Sequence, residues 1–181
     1  MTHALITIDI QNDYFEGGKY PLVGAKEAAE RAADVLGKFR AAGLPVVHVQ
    51  HLWDGPDAAF FATGSPGAEI HELVAPADGE AVVTKAAPNS FLDTDLSSVL
   101  AGLGVDHLVV QGMQTNLCID ASVRAGADLG WTITVVGDAC AAPDLEHAGR
   151  SVQAADVHTA FLAALDGNYA HVVDSADLGI G

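Results

Sequence analysis

The chain's 181 residues, half of them hydrophobic, suffice for one domain with a full apolar core. Twenty-four acidic side chains against eight basic ones leave a net charge of −16, without the clustered Lys and Arg that a nucleic-acid binder needs. No apolar run approaches the ~20 residues that cross a bilayer. The first strand starts too close to Met1 for a signal peptide, and two cysteines make neither a disulfide framework nor a zinc motif, so a cytoplasmic protein is expected.

Ala4 to Ile8 is a short apolar, partly β-branched run, read as a buried parallel strand that delivers Asp9 at its end. Ala25 to Arg40 carries Ala29, Ala32, Ala33, Leu36 and Phe39 at helical spacing and stops at Gly43. Pro45 to Val49 reads as the second strand. Leu52 to Gly79, broken by proline and glycine, reads as a long irregular excursion of the kind that forms lids and binding loops. Ala81 to Thr84 is a third strand ending at Lys85, and Asp93 or Thr94 caps a helix through Leu100. His107 to Val110 is the fourth strand, and a helix is predicted from about Thr115 to Leu129. Trp131 to Val136 is the fifth strand, His147 to Leu165 the last long helix, and His171 to Val173 the last strand. This alternation predicts a three-layer α/β/α fold, with a doubly wound, mostly parallel, Rossmann-like sheet of about six strands, in one domain spanning residues 1–181.

In such sheets ligands bind at the carboxyl ends of the strands. Three strands bring a reactive side chain there: Asp9, Lys85 and Cys118. Lys85 is the only Lys or Arg between Ala41 and Val123, so it either decorates a loop or serves a dedicated anionic partner. Cys118 falls in the first turn of a predicted helix, whose unpaired N–H groups and positive end favour thiolate over thiol. Taken singly, each has a plain explanation: a strand-end carboxylate, a solvated lysine, a buried thiol behaving as a small hydrophobe. Together they are the parts of an activated nucleophile. The carboxylate can take the thiol proton, the ammonium stabilises both anions, and backbone N–H groups can hold an oxyanion.

Four segments, in order along the chain, carry a resemblance: ALITIDIQNDYF (Ala4 to Phe15), GSPGAEIH (Gly64 to His71), VTKAAPNSF (Val83 to Phe91) and GMQTNLC (Gly112 to Cys118). They resemble the isochorismatase-like cysteine hydrolases, the superfamily of nicotinamidases, N-carbamoylsarcosine amidases, ureidoacrylate amidases and streptothricin hydrolases. The resemblance implies a catalytic triad of Asp9, Lys85 and Cys118, a cis peptide between Met113 and Gln114, and an oxyanion hole from the backbone N–H groups of Gln114 and Cys118. It implies Tyr14 against the substrate, with Gln11, Trp53 and Phe91 in the same pocket. The implied reaction is hydrolysis of a carbon–nitrogen bond in a small amide, ureido or lactam compound through a thioester on Cys118, with no cofactor. A homo-oligomer, dimer or tetramer, is expected, with Trp53, Phe60 and Phe61 on the long loop available to the pocket or to a neighbouring subunit. The acidic charge permits a cationic substrate.

The chain departs from the metal-bearing nicotinamidases. Where they hold an Asp-x-His pair after the second strand, this sequence has His51 and Trp53, so that ligand set is broken and no bound metal is expected. His48 and His51, three apart in an extended segment, point to opposite faces, and His71 resembles a structural or rim position. Cys140 is expected to pack a turn, with Asp138 fixing that loop, while His107, His147 and His158 read as non-catalytic. Two other readings stay open: a thiol redox or sensor protein pairing Cys118 with Cys140, and a non-catalytic binding relative. A dinucleotide-binding domain is disfavoured, because Asp9-Ile10-Gln11-Asn12 lacks the glycines of that turn.

Overall fold

The computed structural model describes residues 2–55 and 57–180. In chain order the regular elements are β1 (His3–Ile8), α1 (Ala25–Ala41), β2 (Val46–His51), β3 (Ala81–Lys85), α2 (Leu96–Leu103), β4 (His107–Met113), a π-helical turn (Thr115–Ile119), α3 (Asp120–Asp128), β5 (Thr132–Ala141), β6 (Leu145–His147), β7 (Arg150–Val152), α4 (Ala154–Leu165) and β8 (His171–Val173). Six of the strands form one parallel sheet in the order β3-β2-β1-β4-β5-β8. Side chains alternate across it. Leu5, Val109 and Val136 face α1, while Ala4, Ile6, Ile8, Val47, Val49, Leu108 and Val110 pack with Leu100 of α2 and Val123 of α3. Burial on both faces is why these strands read as continuous apolar runs.

The chain leaves β1 toward β2 on one side, while β4 continues to β5 on the other, so the connections after β1 and β4 leave the sheet centre in opposite directions. Such a switch point opens a crevice. Gly112 makes the close approach there: it pairs with Ile8 at φ +133, and a Cβ on it would lie 1.9 Å from the Ile8 carbonyl oxygen.

Three expectations need correcting. Residues 145–152 form a β6–β7 hairpin, and the helix begins only at Ala154; Ala148 and Gly149 both adopt positive φ (51° and 73°), the geometry of a two-residue hairpin turn. Cys140 packs within a strand, because β5 continues past Val136 and pairs Cys140 with Gly112 after a register shift. The second helix starts at Leu96 with Asp95 in the N-cap position, although Thr94 Oγ1 still accepts from the Leu96 N–H at 3.3 Å. The long excursion contains only two short 3₁₀ turns, Pro66–Ala68 and Glu72–Val74, among its described residues, and Phe61, Ala68 and Val74 from it join the core on the α1 side.

At the opposite end of the sheet a polar network joins α1, β2 and the approach to β3. Glu80 accepts from Arg40 Nε at 2.7 Å, from Arg40 Nη2 at 2.8 Å and from the Ala77 N–H at 2.8 Å, and contacts buried His48 Nε2 at 2.8 Å. The Arg40 guanidinium, with these other donors, outweighs desolvation and holds the Glu80 carboxyl down at about 2.

This packing predicts two effects on stability. Gly112→Ala meets both the clash and the positive φ, and is expected to cost about 3 kcal/mol or more, a drop of roughly 10 °C in the thermal unfolding midpoint. Glu80 has a depressed folded-state pKa, so its contribution is present above the ordinary carboxyl value and fades as the pH falls toward about 2. With Arg40 half-open to solvent, that contribution is about 2 kcal/mol. Glu80→Gln is expected to lose it at neutral pH, and the gap to wild type in urea unfolding should close on acidification.

Candidate active site

Asp9, the first residue past β1, takes φ +53 and is fully buried. An L-residue in the left-handed region needs local support. Support comes from its own N–H, which donates to Val49 O at 3.0 Å, and from the Pro66–His71 segment that pins the residues after it. Asn12 N donates to Glu69 O, and His71 N donates to Ile10 O. The Gly64 to His71 motif therefore braces the exit of β1, and His71 itself stacks on Phe15 with ring centroids 3.8 Å apart.

Lys85 ends β3, two strands from Asp9, and its buried side chain reaches across the end of β2. Its Nζ lies 2.7 Å from Asp9 Oδ2, 3.0 Å from Ala87 O and 3.3 Å from Pro88 O. Those two carbonyls are presented by the loop after β3, which α3 holds in turn: Ser122 Oγ donates to Ser90 Oγ at 2.8 Å and accepts from the Ser90 N–H at 3.0 Å. Burial alone would lower the Lys85 pKa. The charges of Asp9 and Cys118 outweigh it and leave the ammonium above the usual lysine range.

Cys118 lies on the π-helical turn between β4 and α3, 1 % exposed. The Gln114 carbonyl accepts both the Leu117 and the Ile119 N–H at 3.1 Å, which widens the turn before α3 begins. Thr115 Oγ1 ties this turn to α4 through His158 Nδ1 at 2.9 Å. The Met113–Gln114 peptide preceding it is cis. A helix start was expected to favour thiolate, but burial dominates. It pushes the thiol up, the Asp9 charge pushes the same way, and Lys85 opposes without reversing the shift. The group therefore rests as a thiol beside a carboxylate whose Oδ1 has no hydrogen-bond partner among the described residues.

The other expected residues separate into those at the site and those away from it. Tyr14 is buried beside it, its hydroxyl accepting from Gln114 Nε2 at 3.3 Å; burial and then the charges of Asp9 and Cys118 push the phenol up, so it stays protonated. Trp53 sits at the rim, 44 % exposed. Gln11 is close by but fully engaged with backbone: its amide donates to His51 O (2.9 Å) and Ala68 O (2.8 Å) and accepts from His51 N (2.8 Å). It is a clamp between strand ends and offers nothing to a substrate. Phe91 lies away from the site, packed between Gly126 and Ile133 in the apolar layer under α3, because the chain turns inward after Ser90. Cys118 and Cys140 are both free thiols.

His51 is the residue that sequence reasoning misplaced. His48 does point the other way, to Glu80, but His51 pairs in register with Lys85 and turns its Nδ1 to 3.2 Å from Lys85 Nζ and 3.8 Å from Asp9 Oδ2. The available signal was its position, at the same strand edge as Asp9 and Lys85. Asp9, His51 and Cys118 offer an oxygen, a nitrogen and a sulfur all within 4.8 Å of one another, a donor set that could hold a metal. Here the Lys85 ammonium stands close to the first two and supplies the positive charge.

The isochorismatase domain model matches residues 3–177. The chain belongs to the isochorismatase family. It is 49 % identical over 172 residues to the uncharacterized isochorismatase family protein YddQ of Bacillus subtilis, covering 95 % of this chain and 96 % of that one. It is 34 % identical over 142 residues to a streptothricin hydrolase of Streptomyces noursei, covering 78 % of this chain and 50 % of that protein. The crystal structure of an isochorismatase-family protein from Oleispira antarctica superposes with a TM-score of 0.95 at 51 % identity, covering 97 % of this chain and 95 % of the other. This chain is thus an isochorismatase-family hydrolase with relatives among the amidases, and none of the helices among its described residues is long and apolar enough to cross a membrane.

The buried ion pair of this isochorismatase-family site gives a direct test. Lys85→Met leaves the Asp9 carboxylate buried without its counter-charge and is expected to cost ~3–5 kcal/mol in urea unfolding. The Asp9→Asn, Lys85→Met double variant should recover much of that loss, since no charge is then stranded.

Proposed function

We propose that this isochorismatase-family hydrolase is a cysteine amidase that opens a carbon–nitrogen bond of a small amide, ureido or lactam compound through a thioester on Cys118. The observation that carries this reading is the buried meeting of three groups, Lys85 Nζ 2.7 Å from Asp9 Oδ2 with Cys118 Sγ within 4.8 Å of the carboxylate. The relationship to a streptothricin hydrolase supports hydrolysis of a small molecule.

The chemistry is set by which atoms are free. Asp9 Oδ2 is held by Lys85, so Oδ1 is the atom available to take the thiol proton as Sγ attacks the carbonyl carbon. The backbone N–H groups of Gln114 and Cys118 would receive the developing oxyanion. The proton on Asp9 then passes to the nitrogen as the C–N bond breaks, leaving the thioester. Asp9 next takes a proton from water, which attacks the thioester; the acid departs and the sulfur regains its proton. Because burial keeps Cys118 protonated at rest, the nucleophile is generated only as the base acts. Lys85 holds a positive charge beside Asp9 as the negative charge leaves that carboxylate for sulfur and then for the oxyanion.

Cys118→Ala, with native circular dichroism, and Asp9→Asn, assayed at a temperature where it remains folded despite the stranded Lys85 charge, should each lower kcat by about 10³-fold or more. The assay is release of ammonia or amine across a panel of carbamoyl amides, ureido acids and lactams. No turnover by the wild-type protein on any class, or wild-type rates in Cys118→Ala, would contradict the proposal.

A further inference from the structure

Residues 145–152 leave the body of the molecule as a ribbon of two strands, β6 and β7, joined by the turn at Ala148 and Gly149. Every residue from Glu146 to Gln153 is exposed. A lone two-stranded ribbon is marginal in water. This one has a firm base, where Asp144 Oδ1 accepts from the Ala154 N–H at 2.7 Å. Its register pairs Leu145 with Val152, Glu146 with Ser151 and His147 with Arg150. Side chains alternate along a strand, so Leu145, Val152, His147 and Arg150 share one face, apolar at the base with an arginine beside the tip. Among the described residues Arg150 meets no carboxylate, in a chain that carries 24 acidic side chains.

Beside the root of the ribbon lies a cavity with the opposite pattern. It measures about 300 Å³ and opens between the start of α1, the end of β5 and the start of α4. Val23, Ala142 and Ala155 line it, and its acids are Glu27 and Asp138. Asp138 is engaged, its two oxygens accepting from Ser175 N and Ser175 Oγ at 2.7 Å each. Glu27 is exposed and makes no ion pair among the described residues. Val23, on the cavity wall, is 61 % exposed.

We propose that this face and this cavity are the two halves of an interface between two copies of the chain. The β6–β7 ribbon of each copy seats in the cavity of the other, with Arg150 meeting Glu27 of the partner subunit. Each copy supplies both halves, so the exchange is symmetric and closes as a two-fold dimer. Leu145 and Val152 then lie against the apolar walls of the opposite cavity. Charge argues for the same pairing. Two copies that each carry −16 repel one another, and a surface on which they meet must set its basic groups against acids. The cavity also adjoins the candidate active site. His158 on its wall contacts Thr115 Oγ1 at 2.9 Å, in the turn that carries Cys118, so a seated ribbon packs against the helix end that steadies that turn.

Sedimentation equilibrium of the full chain at micromolar concentrations tests this without a substrate. The wild-type protein should sediment as a dimer. Arg150→Glu sets acid against acid and should weaken association about 100-fold or more, and Glu27→Arg, which sets base against base, should do the same. The double variant Glu27→Arg, Arg150→Glu restores opposite charges and should return to within about tenfold of the wild-type dissociation constant. Both positions are exposed in the single chain, and circular dichroism checks that each variant is folded. A monomeric wild type, association undiminished in either single variant, or a double variant as weak as the single ones would each overturn the proposal.

Discussion

A lysine and an aspartate, both withdrawn from water, meet at the end of the sheet, and most of the surrounding structure can be understood as what makes that contact tolerable. Two charges in a low-dielectric interior cost several kcal/mol each to desolvate, and their mutual attraction offsets this only when the remaining protons and lone pairs are also satisfied. Here the loop after β3 turns back so that Ala87 and Pro88 present carbonyls to the ammonium. Ser90 and Ser122 then fasten that loop to α3, the helix just after Cys118. The Gly64 to His71 segment braces Asp9 from the other side through backbone bonds to Ile10 and Asn12. The motifs of this chain are therefore mainly supports for one ion pair.

The same burial sets the state of the Cys118 thiol. A cysteine at a helix start, considered by itself, leans toward thiolate, but inside this protein desolvation and the neighbouring carboxylate lean further the other way. The local dipole is a surface-scale effect of a fraction of a kcal/mol to about 2 kcal/mol, smaller than the penalty for an unsolvated anion. In the proposed amidase, reactivity at Cys118 then depends on a base close by, and Asp9 is the carboxylate buried beside it. The widened turn at Thr115–Ile119 and the Thr115–His158 contact fix where the sulfur lies relative to it.

Much of this was legible in the sequence. The alternation of apolar runs and helical periodicities placed all six strands of the parallel sheet, and Asp9, Lys85 and Cys118 were found because each lies at or just past the end of such a strand. What misled were residues whose surroundings come from elsewhere in the chain. The helical pattern after His147 was interrupted by a two-residue turn at Ala148 and Gly149, a backbone event that hydrophobic spacing does not report. Phe91 and Gln11 sit beside motif residues but spend their side chains on the core and on backbone amides. His51 was judged against His48, three residues away, when its partners are Asp9, Lys85 and Trp53.

The sequence by itself determined the chain order of the six parallel strands and the sheet edge at which Asp9, Lys85 and Cys118 arrive. These depend on local periodicity and on the residues at the end of each strand, both of which act over short stretches of chain. Only the tertiary structure decided which side chains share protons, that the thiol rests protonated, and that His51 rather than Phe91 belongs to the site. Those outcomes depend on desolvation and on contacts between strands brought side by side by the sheet order, where separation in sequence carries no information about separation in space.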